Sequence, residues 1–172
     1  MTDEVEFRWC RDATKARALA KLFAANLTGS YISHSELQGP RAISPSKWVE
    51  NIDDVIESDL LGRVNNPLDA APGEMTMLTA YLMVGGADVA VFLVTFSRTA
   101  HHPYAILEDM MVDPAARSHG HGSRFLRWIE GEAAARGIRR LFLESGITND
   151  HAHHFFEREG FRKVSVVMMR EF

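Results

Sequence analysis

Two adjacent acids, Glu108 and Asp109, stand inside an otherwise apolar run, Leu107-Glu108-Asp109-Met110-Met111-Val112. Carboxylates are costly in such surroundings unless partnered, so they carry more information than acids on a solvated surface. On an extended strand they point to opposite faces. One can then line a cleft while the other pairs structurally. A carboxylate in a cleft can take a proton, directly or through water, from an attacking group. An amine of ordinary pKa, about 10.4, needs that help, because losing its proton at pH 7 costs roughly 4–5 kcal/mol. The competing reading is that both acids only satisfy local hydrogen bonds or ion pairs.

The residues that follow have a second kind of chemistry. Val112-Asp113-Pro114-Ala115-Ala116-Arg117-Ser118-His119-Gly120-His121-Gly122 reads as the end of a strand, a short loop and the start of a helix. Amides at a helix N-terminus point at whatever sits there, and the helix dipole favours an anion. Gly120 and Gly122 let a pyrophosphate come close to the backbone, and Arg117 adds positive charge. A dinucleotide fingerprint would need a glycine where Phe125 stands, and a P-loop would need Gly-Lys-Ser/Thr; neither is present. Taken alone, the two glycines could simply make a tight turn.

About thirty residues on comes Asn149-Asp150-His151-Ala152-His153-His154-Phe155-Phe156-Glu157-Arg158-Glu159-Gly160-Phe161. Together the two segments strongly resemble the GCN5-related N-acetyltransferases, the GNAT superfamily. Its loop reads Arg/Gln-x-x-Gly-x-Gly/Ala, and its later helix reads Asn-x-x-Ala-x-x-Phe-Tyr-Glu-x-x-Gly-Phe. The likeness covers residues 105–161 well; the first hundred residues agree only in element order. The resemblance implies acetyl-CoA as co-substrate, with its pyrophosphate on the amides from Arg117 to Ser123, a stretch that includes Ser118, His119 and His121. It implies a pantetheine arm along the strand edge Met110-Met111-Val112, where two central strands splay apart. It also implies that Asn149 bonds the arm, with Phe155 and Phe156 in the same helix, although Asn149 suits a plain helix cap as well. Glu108-Asp109 is similar to the Leu-Glu-Asp of the diamine acetyltransferase branch, which makes Glu108 the first choice for the base and Asp109 the second. An amide on the splayed edge, that of Met110, could steady the oxyanion.

One position departs from the pattern. Many family members carry a tyrosine where this chain has Phe156, and that tyrosine protonates the departing thiolate. Phenylalanine cannot. A thiolate, with a thiol pKa near 8.5, can also leave unassisted.

These residues need a scaffold. The pattern predicts strands at Val5–Cys10, Thr76–Val84, Asp88–Phe96, Tyr104–Val112, Arg139–Glu144 and Lys163–Met169. It predicts a helix capped by Asp12 and stopped at Gly29, a second opening at Ser44-Pro45 and ending at Asn65-Asn66-Pro67, a third over Gly120–Arg136 and a fourth over Asn149–Arg158. Residues 30–43 read as loop with room for a helical turn, and Gly85-Gly86 as a hairpin turn. The resulting fold is α/β: a mixed sheet with helices on both faces, as one domain over residues 1–172.

Composition narrows the rest. The 172 residues are 46% hydrophobic and 24% charged, ordinary globular values. The single cysteine, Cys10, excludes an internal disulfide. The eight histidines fit no standard zinc spacing, so no metal is expected. The acidic start Met1–Glu6 is unlike a signal peptide, and the uncharged stretch Met75–Ala87 is too short to cross a membrane. A cytoplasmic protein without membrane or nucleic-acid partners is the expectation. The net charge of −4 hides an uneven distribution. Between Ala115 and Phe142 six arginines face only Glu130 and Glu132, while Glu50, Asp53, Asp54 and Glu57 gather on the second helix. The expected activity is direct acetyl transfer to a primary amine of a small molecule. A protein amine, another acyl-CoA, or a non-catalytic acyl-CoA sensor are the alternatives. Homodimers are common in the superfamily, but no seam is visible here.

Overall fold

The computed structural model describes residues 4–172; Met1–Asp3, part of the acidic start noted above, lie outside it. The elements in chain order are β1 (Val5–Trp9), α1 (Ala13–Ala24), α2 (His34–Gln38), β2 (Ala42–Ser44), β3 (Lys47–Trp48), α3 (Ile52–Arg63), β4 (Met75–Val84), β5 (Ala87–Ser97), β6 (Tyr104–Val112), α4 (His121–Ala135), β7 (Leu141–Leu143) and α5 (Asp150–Arg158). The described residues form two compact units, one of residues 4–27 and 51–144, the other of 28–50 and 145–172.

The first unit is a five-stranded sheet in the order β1-β4-β5-β6-β7, flanked by α1, α3 and α4. All pairings are antiparallel except the parallel contact of β6 with β7. Gly85 and Gly86, at φ +57° and +85°, close the β4–β5 hairpin in the positive-φ conformation that a two-residue turn needs. Asp12 caps α1 by accepting a 2.7 Å bond from the Lys15 amide. One layer of core is aromatic: Phe92 of β5 stacks on Phe125 of α4 with centroids 3.6 Å apart, and Phe7 and Trp9 of β1 lie against Trp128. Strand alternation sends Leu93, also fully buried, to the other face. There α1 packs on β5, and α1 and α3 pack on each other.

The second unit holds α2, the β2–β3 hairpin and α5. Ser33 and Glu36 form a capping box on α2, with the Ser33 amide and hydroxyl each donating to Glu36 at 2.7 Å. The Trp48 indole donates to the carbonyl of Thr28 at 3.2 Å. Gly146 is buried, and a Cβ there would stand 2.2 Å from the Ser30 carbonyl oxygen and 2.6 Å from that of Ile32. Those are backbone atoms that cannot rotate away. Gly146→Ala is therefore expected to destabilise this unit by about 1–3 kcal/mol, the usual cost of overpacking, read as a lowered midpoint in urea. An unchanged midpoint would mean the 28–32 segment yields freely.

Three sequence expectations are corrected. The helix expected from Ser44-Pro45 begins only at Ile52, because Pro45-Ser46 is the turn of the β2–β3 hairpin; Trp48 therefore lies on β3 and not on a helix face. The first helix ends at Ala24 instead of at Gly29, which opens a short 3-10 turn. No strand forms over Lys163–Met169: residues 162–172 contain neither helix nor strand, and Val164, Val166 and Met168 are exposed. A β-prone run becomes a strand only when another strand completes its ladder.

Candidate functional site

The site residues from Glu108 to Ser123 all belong to the first unit and follow one another from β6 into α4. Burial along β6 alternates without a break from Tyr104 to Val112. Asp109 is 3% exposed and buried like Leu107 and Met111, whereas Glu108 is half-buried like Ile106, Met110 and Val112. The two acids thus differ in burial.

The register of β6 is broken at the same place. Leu93 pairs with Asp109 and Val94 with Leu107, so Glu108 is the extra residue of a bulge. On the other edge, the parallel ladder to β7 runs over Ala105, Ile106 and Leu107 and stops there. Bulge and ladder end coincide, and the stretch from Glu108 to Val112 continues past the last β7 contact.

Glu108 is held from two sides. One carboxylate oxygen accepts from the Thr95 hydroxyl, and the other lies 2.6 Å from the Arg63 guanidinium. Arg63, the last residue of α3, also binds Asp59 one turn back through 2.7 and 3.3 Å contacts. Burial of Arg63 opposes its charge, but Glu108 and Asp59 outweigh that cost and hold the guanidinium firmly protonated. The side chain of Glu108 keeps about a quarter of its surface in solvent. A carboxylate has about four acceptor positions, so two occupied ones leave capacity for a proton.

Sequence reading missed Arg63, Asp59 and Thr95. The signal was present for Arg63, which continues the stripe Ile56, Leu60 at helical spacing and is buried with them. A cation on an apolar stripe calls for a buried anion.

After β6, Asp113 caps a 3-10 turn by accepting from Ala115, and the Arg117 side chain donates back to the Val112 carbonyl at 2.9 Å. Gly120 is the N-cap of α4 at φ +75° and brings no side chain to the first-turn amides. Its missing Cβ would meet nothing within 4 Å. Arg117, Ser118, His119 and Gly120 are exposed, Gly122 and Ser123 half-buried in the first turn, and His121 buried. The His121 Nδ1 is enclosed without a hydrogen-bond partner. Burial, then the neighbouring Arg124 and His119, push the pKa of His121 down. An uncapped helix start, bare glycine and an orphaned buried nitrogen all suit an anion.

Asn149, Phe155 and Phe156 lie in the second unit. Asn149 caps α5, accepting from the Ala152 amide at 3.4 Å, and Phe156 packs edge-on against Phe155 and Phe161. Cys10 is buried, and that burial pushes its thiol pKa up, away from nucleophilic use. Among the described residues, no helix is long and apolar enough to cross a membrane and no group of three metal-ligating side chains occurs.

Residues 72–161, just over half of the chain, match the acetyltransferase (GNAT) family. The aminoalkylphosphonate N-acetyltransferase of Salmonella typhimurium is 34% identical over 65 residues, which are 37% of this chain and 42% of that protein. The match thus spans less than half of that curated relative. Solved structures agree in fold over nearly the whole chain. A possible acetyltransferase from Clostridium difficile 630 has a TM-score of 0.66 at 15% identity, covering 98% of this chain and 97% of its own. An aminoglycoside N-acetyltransferase, AAC(6')-Iy, in complex with CoA has a TM-score of 0.68 at 13% identity, covering 100% and 97%.

Proposed function

The chain belongs to the acetyltransferase (GNAT) family, and from that premise we propose that it transfers an acetyl group from acetyl-CoA to the primary amine of a small molecule, as one functional domain. The observation that carries this reading is the run of β6 past the end of its β7 ladder into a helix start capped only by Gly120. Extended backbone offers a pantetheine arm the amide partners of an added strand, here along Met110, Met111 and Val112. The loop from Arg117 to Ser123 suits the pyrophosphate. Asn149, Phe155 and Phe156 are proposed coenzyme contacts on the strength of their motif.

Acetyl-CoA supplies an activated acyl group on a thiol leaving group. The chain does the rest. Glu108 takes a proton from the ammonium form of the acceptor, freeing the nitrogen lone pair to form the C–N bond. The amide of Met110 donates to the oxygen that gains charge. The C–S bond then breaks, and the second amine proton is released as the amide product forms. The thiolate leaves without a phenol, since position 156 is phenylalanine. The relatives' activities, on an aminoalkylphosphonate and on an aminoglycoside, support a small amine as acceptor.

The test is thiol release over a panel of small amines, aminoalkylphosphonates and aminoglycosides among them. Release with at least one is expected, and none from any member would overturn the reading. Phe156 favours one other outcome, tight acetyl-CoA binding without turnover, which would make the protein a coenzyme sensor. A second measurement bears on the loop itself. Gly120→Ala puts a side chain at positive φ, costing about 1–2 kcal/mol of stability. It also fills the space proposed for the pyrophosphate. By calorimetry CoA should bind at least about tenfold more weakly, equivalent to about 1.4 kcal/mol. Unchanged affinity would move the pyrophosphate elsewhere.

A further inference from the structure

The phosphate loop carries two imidazoles where the resemblance specifies only variable positions. The rings of His119 and His121 lie 5.9 Å apart at 24°, nearly parallel, on either side of Gly120. The Nδ1 of His119 is 2.7 Å from the carbonyl oxygen of Arg117, so that nitrogen bears the proton and donates. Its Nε2 is left for a second proton. His121 is 8% exposed, and its Nδ1 has no partner. The charged groups that act on His121 are Arg124, one turn on, and His119 itself; no carboxylate is among them. Arg117 shares the loop and is tied to Val112. The one acid there, Asp113, spends an oxygen on the Ala115 amide.

Resting on the acetyl-CoA reading above, we infer that His119 and His121 bind the coenzyme's pyrophosphate as protonated imidazoles, so that the anion enters together with protons and binding weakens as pH rises. In the free protein burial, then the nearby Arg124 and His119, disfavour charge on His121. A pyrophosphate at the same helix start reverses that balance, because its fixed negative charges favour imidazolium on both sides. Burial supports the same direction, since a neutral His121 in the empty loop leaves the largest change to occur on binding.

Linkage gives the sign and the readout. A complex that holds more protons than its free partners binds more weakly at higher pH, in proportion to the protons taken up. The probe is dephospho-CoA, which lacks the 3′-phosphate, a group that would itself titrate near pH 6. Calorimetry in buffers of differing ionisation enthalpy should read an uptake on the order of one proton between pH 6 and 7.5, and the affinity should fall at least about thirtyfold from pH 6 to 8. The variants are His119→Asn, at an exposed position, and His119→Asn/His121→Gln. The first should lessen the pH slope and the second abolish it. Binding with no proton uptake, or with the same slope in the double variant, overturns this inference and leaves the coenzyme reading intact. If the wild-type protein binds neither CoA nor dephospho-CoA at any pH, the coenzyme reading itself fails.

Discussion

Glu108→Gln is expected to lower kcat about a hundredfold to ten-thousandfold at pH 7, the range for loss of a positioned general base, with KM changed far less. The substitution keeps the shape of the side chain and an oxygen that can still accept from Thr95. It removes the charge that faces Arg63 and the capacity to receive the amine's proton. Because the variant also weakens an ion pair, a lower rate alone would not separate a chemical role from a structural one. The pH dependence does. For an amine of pKa about 10.4, the neutral fraction in solution grows roughly a hundredfold between pH 7 and 9. A variant that lacks only the base accepts amine deprotonated by the solvent, so its deficit should shrink as pH rises through that window. A variant that is merely distorted should stay equally deficient. Full activity at pH 7 would remove Glu108 from the proton path and leave buried Asp109 as the remaining acid on β6.

The parts legible in the sequence are those fixed by short-range rules. Asp12 before a helical stripe, Gly85-Gly86 between two β-rich runs and the inward set Phe125, Leu126, Ile129 and Ala133 on α4 each have a local cause. Where two local rules compete, the sequence is silent about the winner. Pro45 fits the first turn of a helix and the corner of a hairpin equally well, and only the pairing of β2 with β3 decides. Lys163–Met169 illustrates the reverse: the pattern of a strand is present, and no ladder forms. The bulge at Glu108 is also a property of two strands, since it exists only as a mismatch between β5 and β6. What made the candidate site legible was contiguity, for β6, the loop and the start of α4 are consecutive. Arg63 and Thr95 reach it from other elements.

Arg63→Ala is the substitution expected to cost the most stability, about 3–5 kcal/mol, as when one member of a buried ion pair is removed. The arginine is 6% exposed, and its two carboxylate partners each have only about a quarter of their side-chain surface in solvent. Without it Asp59 and Glu108 lose a shared counter-charge that nothing on α3 replaces, and a cavity opens beside Ile56 and Leu60. Denaturant unfolding should show the full loss. Arg63→Lys separates its causes, because lysine keeps the charge and lacks the planar fork that reaches two acids at once. If charge dominates, Lys recovers most of the stability; if geometry dominates, it recovers little. Activity adds the link to function. Arg63 does not point to the reacting atoms in this scheme; it fixes the carboxylate that does, so Arg63→Lys should lower kcat with KM nearly unchanged even under conditions where it is fully folded. A variant as stable as the parent and equally active would mean that Thr95 alone orients Glu108.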